Sequence, residues 1–174
     1  MNQNSEDNFT LNDFSKAVNA FSVISGKSGH SDVDSIIHQS GLLLEEAEET
    51  IDGAELNDPN EVLDGVVDVL FVALGLVEKL EAVGINVSKA MQLVSKNNAS
   101  KFTDSPEIAA ATVQREKDKR VDTVVHKYGN YFVIKNKWTD KVIKPVGFVS
   151  VDLSECIPDE LKERGFVKAH NKGE

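Results

Sequence analysis

Two runs of carboxylates carry the residue types and spacings best suited to chemistry. The first is Glu45-Glu46-Ala47-Glu48-Glu49. On a helix of about 3.6 residues per turn, Glu45, Glu46 and Glu49 share a face, because they stand three or four positions apart. Leu43, Leu44, Ala47, Ile51 and Ala54 fall opposite, and Glu48, Asp52 and Glu55 are expected to face water. The second run puts Glu61, Asp64 and Asp68 at i, i+3 and i+7, on one narrow stripe of an otherwise apolar segment. Like charges at such spacings destabilise a helix by roughly a few tenths of a kcal/mol per pair. An ionised carboxylate in an apolar interior costs far more unless it is paired, protonated or bound to metal. Asp68 is expected inside the protein, and Asp58 to Glu78 contains no Lys, Arg or His to pair with it. A divalent cation shared by both runs would satisfy all of these acids. Oxygen-only donors suit Mg²⁺, with Mn²⁺ as a substitute, and the cation in turn holds phosphate oxygens. Other readings stand beside this one: a solvated acidic face for the first run, a capping-box Glu61 three residues after Asp58, and an ion pair from a distant Lys or Arg for Asp68.

The elements that must position these acids are helices. Apolar residues recur at helical spacing from Phe9 to Ser25, and a Gly-Lys-Ser-Gly turn follows that lacks the spacing of a P-loop. A second helix is expected from about Asp34 to Glu55. Asp58 reads as an N-cap and Pro59 as the first residue of a third helix, which runs to about Val83 and stops at Gly84. A fourth spans about Asn86 to Asn97 or Asn98, and a fifth lies between Pro106 and Val125. The period then shortens: Tyr131–Ile134 and Lys141–Lys144 read as two strands with Asn136 to Asp140 as the turn. Beyond Pro158 a short helix and a frayed tail are expected. The fold class is therefore all-α, a helical bundle (residues 1–126) with a small C-terminal β-hairpin and tail (residues 127–174) on the same domain.

Composition narrows the function classes. A net charge of −10 over 174 residues repels a nucleic-acid backbone, so no nucleic-acid partner is expected, while a metal-held phosphate is not excluded. The start of the chain lacks the apolar core of a signal peptide, and the apolar run Val66 to Val77 is too short to span a membrane. Cys156 is the only cysteine, so no intrachain disulfide forms, and the expected setting is the cytoplasm. A third helix apolar on all sides needs covering, which points to a homodimer or homotetramer.

Glu46-x-x-Glu49 on one helix, then an acidic pair leading into Val69-Leu70-Phe71 on the next, resembles the MazG-like nucleotide pyrophosphohydrolase superfamily, which includes dimeric dUTPases, dCTP pyrophosphatases and phosphoribosyl-ATP pyrophosphatase. The resemblance implies Mg²⁺ held by ExxE and ExxD motifs. Glu46 and Glu49 match the first. In the second, Glu61-x-x-Asp64 fits the spacing, whereas alignment on the apolar run gives Asp64 and Asp68, the preferred pair. Glu45 or Glu46 is the implied base for the attacking water. Asn98 and Lys101 match the family's Asn-x-Ser-Lys segment, and Lys135 and Lys144 resemble a lysine-rich hairpin in phage-type members; all four are implied substrate contacts. The implied reaction is hydrolysis of a nucleoside triphosphate, by analogy a pyrimidine deoxynucleotide, to the monophosphate and pyrophosphate. Phosphoribosyl-ATP as substrate and a non-catalytic, acidic helical interaction protein are the alternatives. Phe102, Tyr128, Tyr131 and Trp138 are rings that could stack a base, and nothing in the sequence places them.

Overall fold

The computed structural model describes residues 9–166, so the expected tail beyond the last helix lies largely outside the described residues. The chain is mostly helical, with one small antiparallel sheet, and divides into two compact units: residues 1–87 with 156–174, and residues 88–155.

The first unit contains α1 (Leu11–Ile24), α2 (Val33–Glu55), α3 (Pro59–Ala82) and the short C-terminal α6 (Asp159–Arg164). The starts of α1, α2 and α3 are set by side-chain caps. Thr10 and Asp13 form a capping box at α1, Asp32 accepts from the Ser35 amide at 2.9 Å, and Asp58 accepts from the Asn60 amide at 2.9 Å with Pro59 opening α3. Gly84, at φ +85°, follows α3 in a conformation that costs glycine little. α2 and α3 form the principal helix pair, and α1 packs on α3 through Phe14 and Phe21, both edge-on to Phe71.

Glycine sets how closely α2 and α3 approach. A Cβ at Gly53 would lie 2.8 Å from Glu61 Cβ and 3.0 Å from the Val62 amide nitrogen. One at Gly65 would lie 2.5 Å from Thr50 Oγ1 and 3.1 Å from Thr50 Cα. Gly75 faces the Gln39 side chain, whose Nε2 donates to the Val72 carbonyl at 3.0 Å. Gly53 with Glu61, Thr50 with Gly65 and Gln39 with Gly75 run in opposite directions along the two helices, so the pair is antiparallel. Of α3, Gly65, Val72 and Gly75 are buried, and Leu63, Val66, Val67 and Leu70 are exposed. α1 and α2 thus reach only part of the circumference of α3.

In the second unit, α4 (Val87–Ala99) and α5 (Pro106–Asp118) accompany a hairpin of β1 (Thr123–Tyr128) and β2 (Tyr131–Asn136), paired from Thr123–Asn136 to Tyr128–Tyr131. The expected hairpin is corrected here. The partner of Tyr131–Ile134 is Thr123–Tyr128, whose first three residues were expected in the fifth helix, and Lys141–Lys144 supplies only an isolated bridge from Val142 to Lys135. α5 stops at Asp118 and Arg120 takes φ +60°, so the β-branched run Thr123-Val124-Val125 pairs as a strand, as its residue types favour. Ile134 is fully buried, and Thr112 bridges the Ile108 carbonyl and the Val146 amide. Buried Glu116 is held by Arg115 Nε at 2.7 Å and Lys119 Nζ at 3.0 Å.

Gly53→Ala and Gly65→Ala should each lower the unfolding free energy by about 1–3 kcal/mol, because the new methyl meets backbone. Gly75→Ala meets only the mobile end of Gln39 and gains roughly 0.5–1 kcal/mol of helix propensity, so its net effect should be small. Urea unfolding of the three variants checks this; three equal losses would contradict the close approach at Gly53 and Gly65.

Candidate metal and nucleotide site

The α2–α3 contact brings the two acidic runs to one place. Thr50 meets Gly65 and Gln39 meets Val72 and Gly75, so Glu46, between them on α2, comes level with Asp68 on α3. Glu46 and Asp68 are half-buried, whereas Glu45, Glu49, Asp64 and Glu61 are exposed. Asp68 is therefore not enclosed as the sequence led us to expect: it lies at the margin of the helix contact, since α3's outer face is open. The Glu46 carboxyl is pushed above the ordinary glutamate value of 4.5, first by burial and then by the charges of Glu49, Asp68, Glu45 and Asp64. All four neighbours act on one carboxyl, so both runs share an electrostatic environment. Among the described residues, no Lys or Arg forms an ion pair with any of these five acids.

No known family profile, curated protein or solved structure matches this chain.

The five acids offer only oxygen donors, the set a hard divalent cation takes. Among the described residues, no group of three or more His, Cys, Asp or Glu side chains is already gathered tightly enough to hold an ion. What the helix pair supplies is apposition of the two acidic runs. Glu61 lies at the far end of the contact, where its backbone meets Gly53 and its amide points to the Asp58 cap at 3.4 Å. That position favours Asp64 and Asp68 over Glu61 as the second acidic pair.

Sequence reasoning missed a cleft about two helical turns from Glu46 and Asp68, at Gln39 and Gly75. One part, about 390 Å³, is lined by Asn19, Ser22, Lys27, Ser28, Glu78 and Lys79 among others. An adjoining part of about 200 Å³ is walled by Val18, Phe21, Leu42, Phe71 and Val72. Lys79 Nζ donates to the His30 carbonyl at 2.8 Å, and burial pulls its pKa below the ordinary lysine value. The only signal in sequence was the Gly-Lys-Ser-Gly turn, whose distance from Lys79 along the chain hid the pairing.

The other candidate contacts belong to the second unit. Lys101 Nζ donates to Asn98 Oδ1 at 2.8 Å, just past α4. Lys135 Nζ is bound by both carboxylate oxygens of Asp140, and Lys144 Nζ lies 4.8 Å from the centre of the Phe148 ring.

The raised Glu46 carboxyl sets a sign for stability against pH. A group whose folded pKa exceeds its unfolded one favours folding when protonated, so its penalty is absent below the unfolded value and complete above the raised one. In a chelator, wild type should lose stability relative to Glu46→Gln as pH rises through that window. With Mg²⁺ at neutral pH the order should reverse, wild type gaining melting temperature and Glu46→Gln gaining little. Thermal denaturation across pH with and without Mg²⁺ reads both; a pH-independent difference would contradict the shared environment.

Proposed function

We propose that the chain is a Mg²⁺-dependent nucleoside triphosphate pyrophosphohydrolase of the MazG-like kind. The observation that carries this reading is the apposition of Glu45, Glu46 and Glu49 with Asp64 and Asp68, unpaired by any cation of the protein among the described residues. Glu46, Glu49, Asp64 and Asp68 would hold the metal. When bound, Mg²⁺ neutralises phosphate oxygens and lowers the pKa of water. Glu45 or Glu46 would orient and deprotonate the attacking water, whichever of the two is not consumed as a ligand. Water adds at phosphorus, the bond to the pyrophosphate oxygen breaks, and the products are the nucleoside monophosphate and pyrophosphate.

The cleft supports a nucleotide substrate specifically. Seven residues of helix separate Glu46 from Gln39 and Asp68 from Gly75, about 10 Å at 1.5 Å per residue, which is the scale of a nucleotide from phosphates to base. The apolar part of the cleft offers a face for a base or sugar, and Lys27 and Lys79 offer cations at its polar mouth. A pyrimidine deoxynucleotide is the preferred substrate by resemblance, with phosphoribosyl-ATP the alternative. The exposed apolar residues of α2 and α3, including Leu44, Ile51, Leu63 and Val66, favour a homodimer or homotetramer built on this helix pair. The same surface is what a non-catalytic interaction protein would use, so turnover decides between them. Among the described residues no helix is long and apolar enough to cross a membrane, and the cytoplasm remains the expected location.

Pyrophosphate release from a panel of dNTPs, with and without Mg²⁺, is the test. Turnover should require the metal. Asp68→Asn and Glu49→Gln should each reduce it by more than the about 10–100-fold that loss of a mere outer-shell partner costs, with the helical circular dichroism retained. Full activity in both variants, or no turnover of any nucleotide by wild type, would sink the assignment.

A further inference from the structure

The charge of −10 conceals two opposite signs. Residues 88–155 contain twelve Lys and Arg against eight Asp and Glu, a net +4, so the acidity belongs to the rest of the chain. The same basic unit displays its aromatic rings. Phe102, Tyr128, Tyr131, Val133, Lys135 and Val142 line an open groove of about 360 Å³ on one face of the hairpin. Tyr128 and Tyr131 are directly paired across the turn and are 62% and 54% exposed. His126, two residues before Tyr128 on the same strand face, stacks on it at 6.1 Å between centroids and 28° between planes. Three of the four rings that the sequence left unplaced therefore meet in one groove; Trp138, itself 76% exposed, stands beyond it in the same unit.

From this juxtaposition we infer that the β1–β2 face binds single-stranded nucleic acid, its bases stacking on Tyr128, Tyr131 and Phe102. Exposed rings on a sheet are what sequence-tolerant strand binding uses, because every base has a π-face, and a unit of net positive charge suits the phosphate of every linkage. Lys137, Lys141 and Lys144 are exposed in this unit. A free nucleoside triphosphate fits the groove less well. Lys135 is the only cation lining it, and that ammonium is already bound to Asp140 at 2.9 and 3.0 Å, whereas a triphosphate needs several donors converging at one end. A purely apolar partner would leave the net positive charge of this unit unmatched.

The test is fluorescence polarisation of the full chain with a labelled single-stranded oligonucleotide of about 12 nucleotides, a length within reported strand-binding site sizes. A chelator excludes any contribution from metal-held phosphate. Binding should weaken as salt rises, and Tyr128→Ala with Tyr131→Ala should reduce it at least tenfold, while Tyr131→Phe, which keeps the ring, should retain it. The tyrosines are exposed, and an unchanged melting temperature separates loss of stacking from loss of folding; Phe102→Leu provides a second variant. No binding at low salt, full binding by the double variant, or displacement by a mononucleotide at the same concentration as the strand would each overturn the inference.

Discussion

Repulsion between carboxylates on two tightly packed helices is the constraint around which the first unit is organised. α2 and α3 are drawn together where Gly53 and Gly65 leave no side chain between the backbones. That approach presses Glu46 toward Asp68 and Asp64 while Glu45 and Glu49 crowd it from its own helix. A surface helix pair usually avoids such crowding, or balances it with lysine and arginine. Here, among the described residues, the Lys and Arg side chains that form ion pairs do so elsewhere, with Asp13, Glu116, Asp140, Glu155 and Asp159. The packing thus holds negative charge where folding alone gains nothing from it, an arrangement consistent with a cation-binding role.

The cleft beside this site uses the same two helices for a different purpose. Toward Gln39 and Gly75 the acidic stripe gives way to Leu42, Phe71 and Val72, with α1 and the turn after it as the third wall. One seam therefore changes within about two helical turns from oxygen-rich to apolar with lysines at its mouth. That gradient matches a molecule with phosphates at one end and a ring at the other, on a helix pair held close by the glycines at 53 and 65.

Local chemistry made much of this legible in the sequence. Asp58 and Pro59 fixed the start of α3 because cap and proline act within a turn, and Gly84 marked its end; the periodicity of α2 and α3 placed their acids on shared faces. What depends on distant partners was not legible. The strand Thr123–Tyr128 was hidden behind the helix-favouring, charge-rich stretch before it, since helix termination at Arg120 by a positive φ on a non-glycine residue carries no strong sequence mark. The lysine-bearing segment Lys141–Lys144 looked as strand-like as the true partner, and only register distinguishes them. The half-exposure of Asp68 and the Lys27–Lys79 cleft follow from how much of α3 the neighbouring helices cover, which periodicity alone does not reveal. Likewise, net charge over the whole chain averaged an acidic unit with a basic one.

The central claim concerns where a divalent ion sits, and paramagnetic line broadening reads that position directly. In amide NMR spectra of the isotope-labelled chain titrated with Mn²⁺, the account predicts selective loss of signals from residues around Glu45–Thr50 and Asp64–Asp68, reversed by excess Mg²⁺. Broadening centred elsewhere, or none at concentrations that saturate an ordinary carboxylate site, would contradict it.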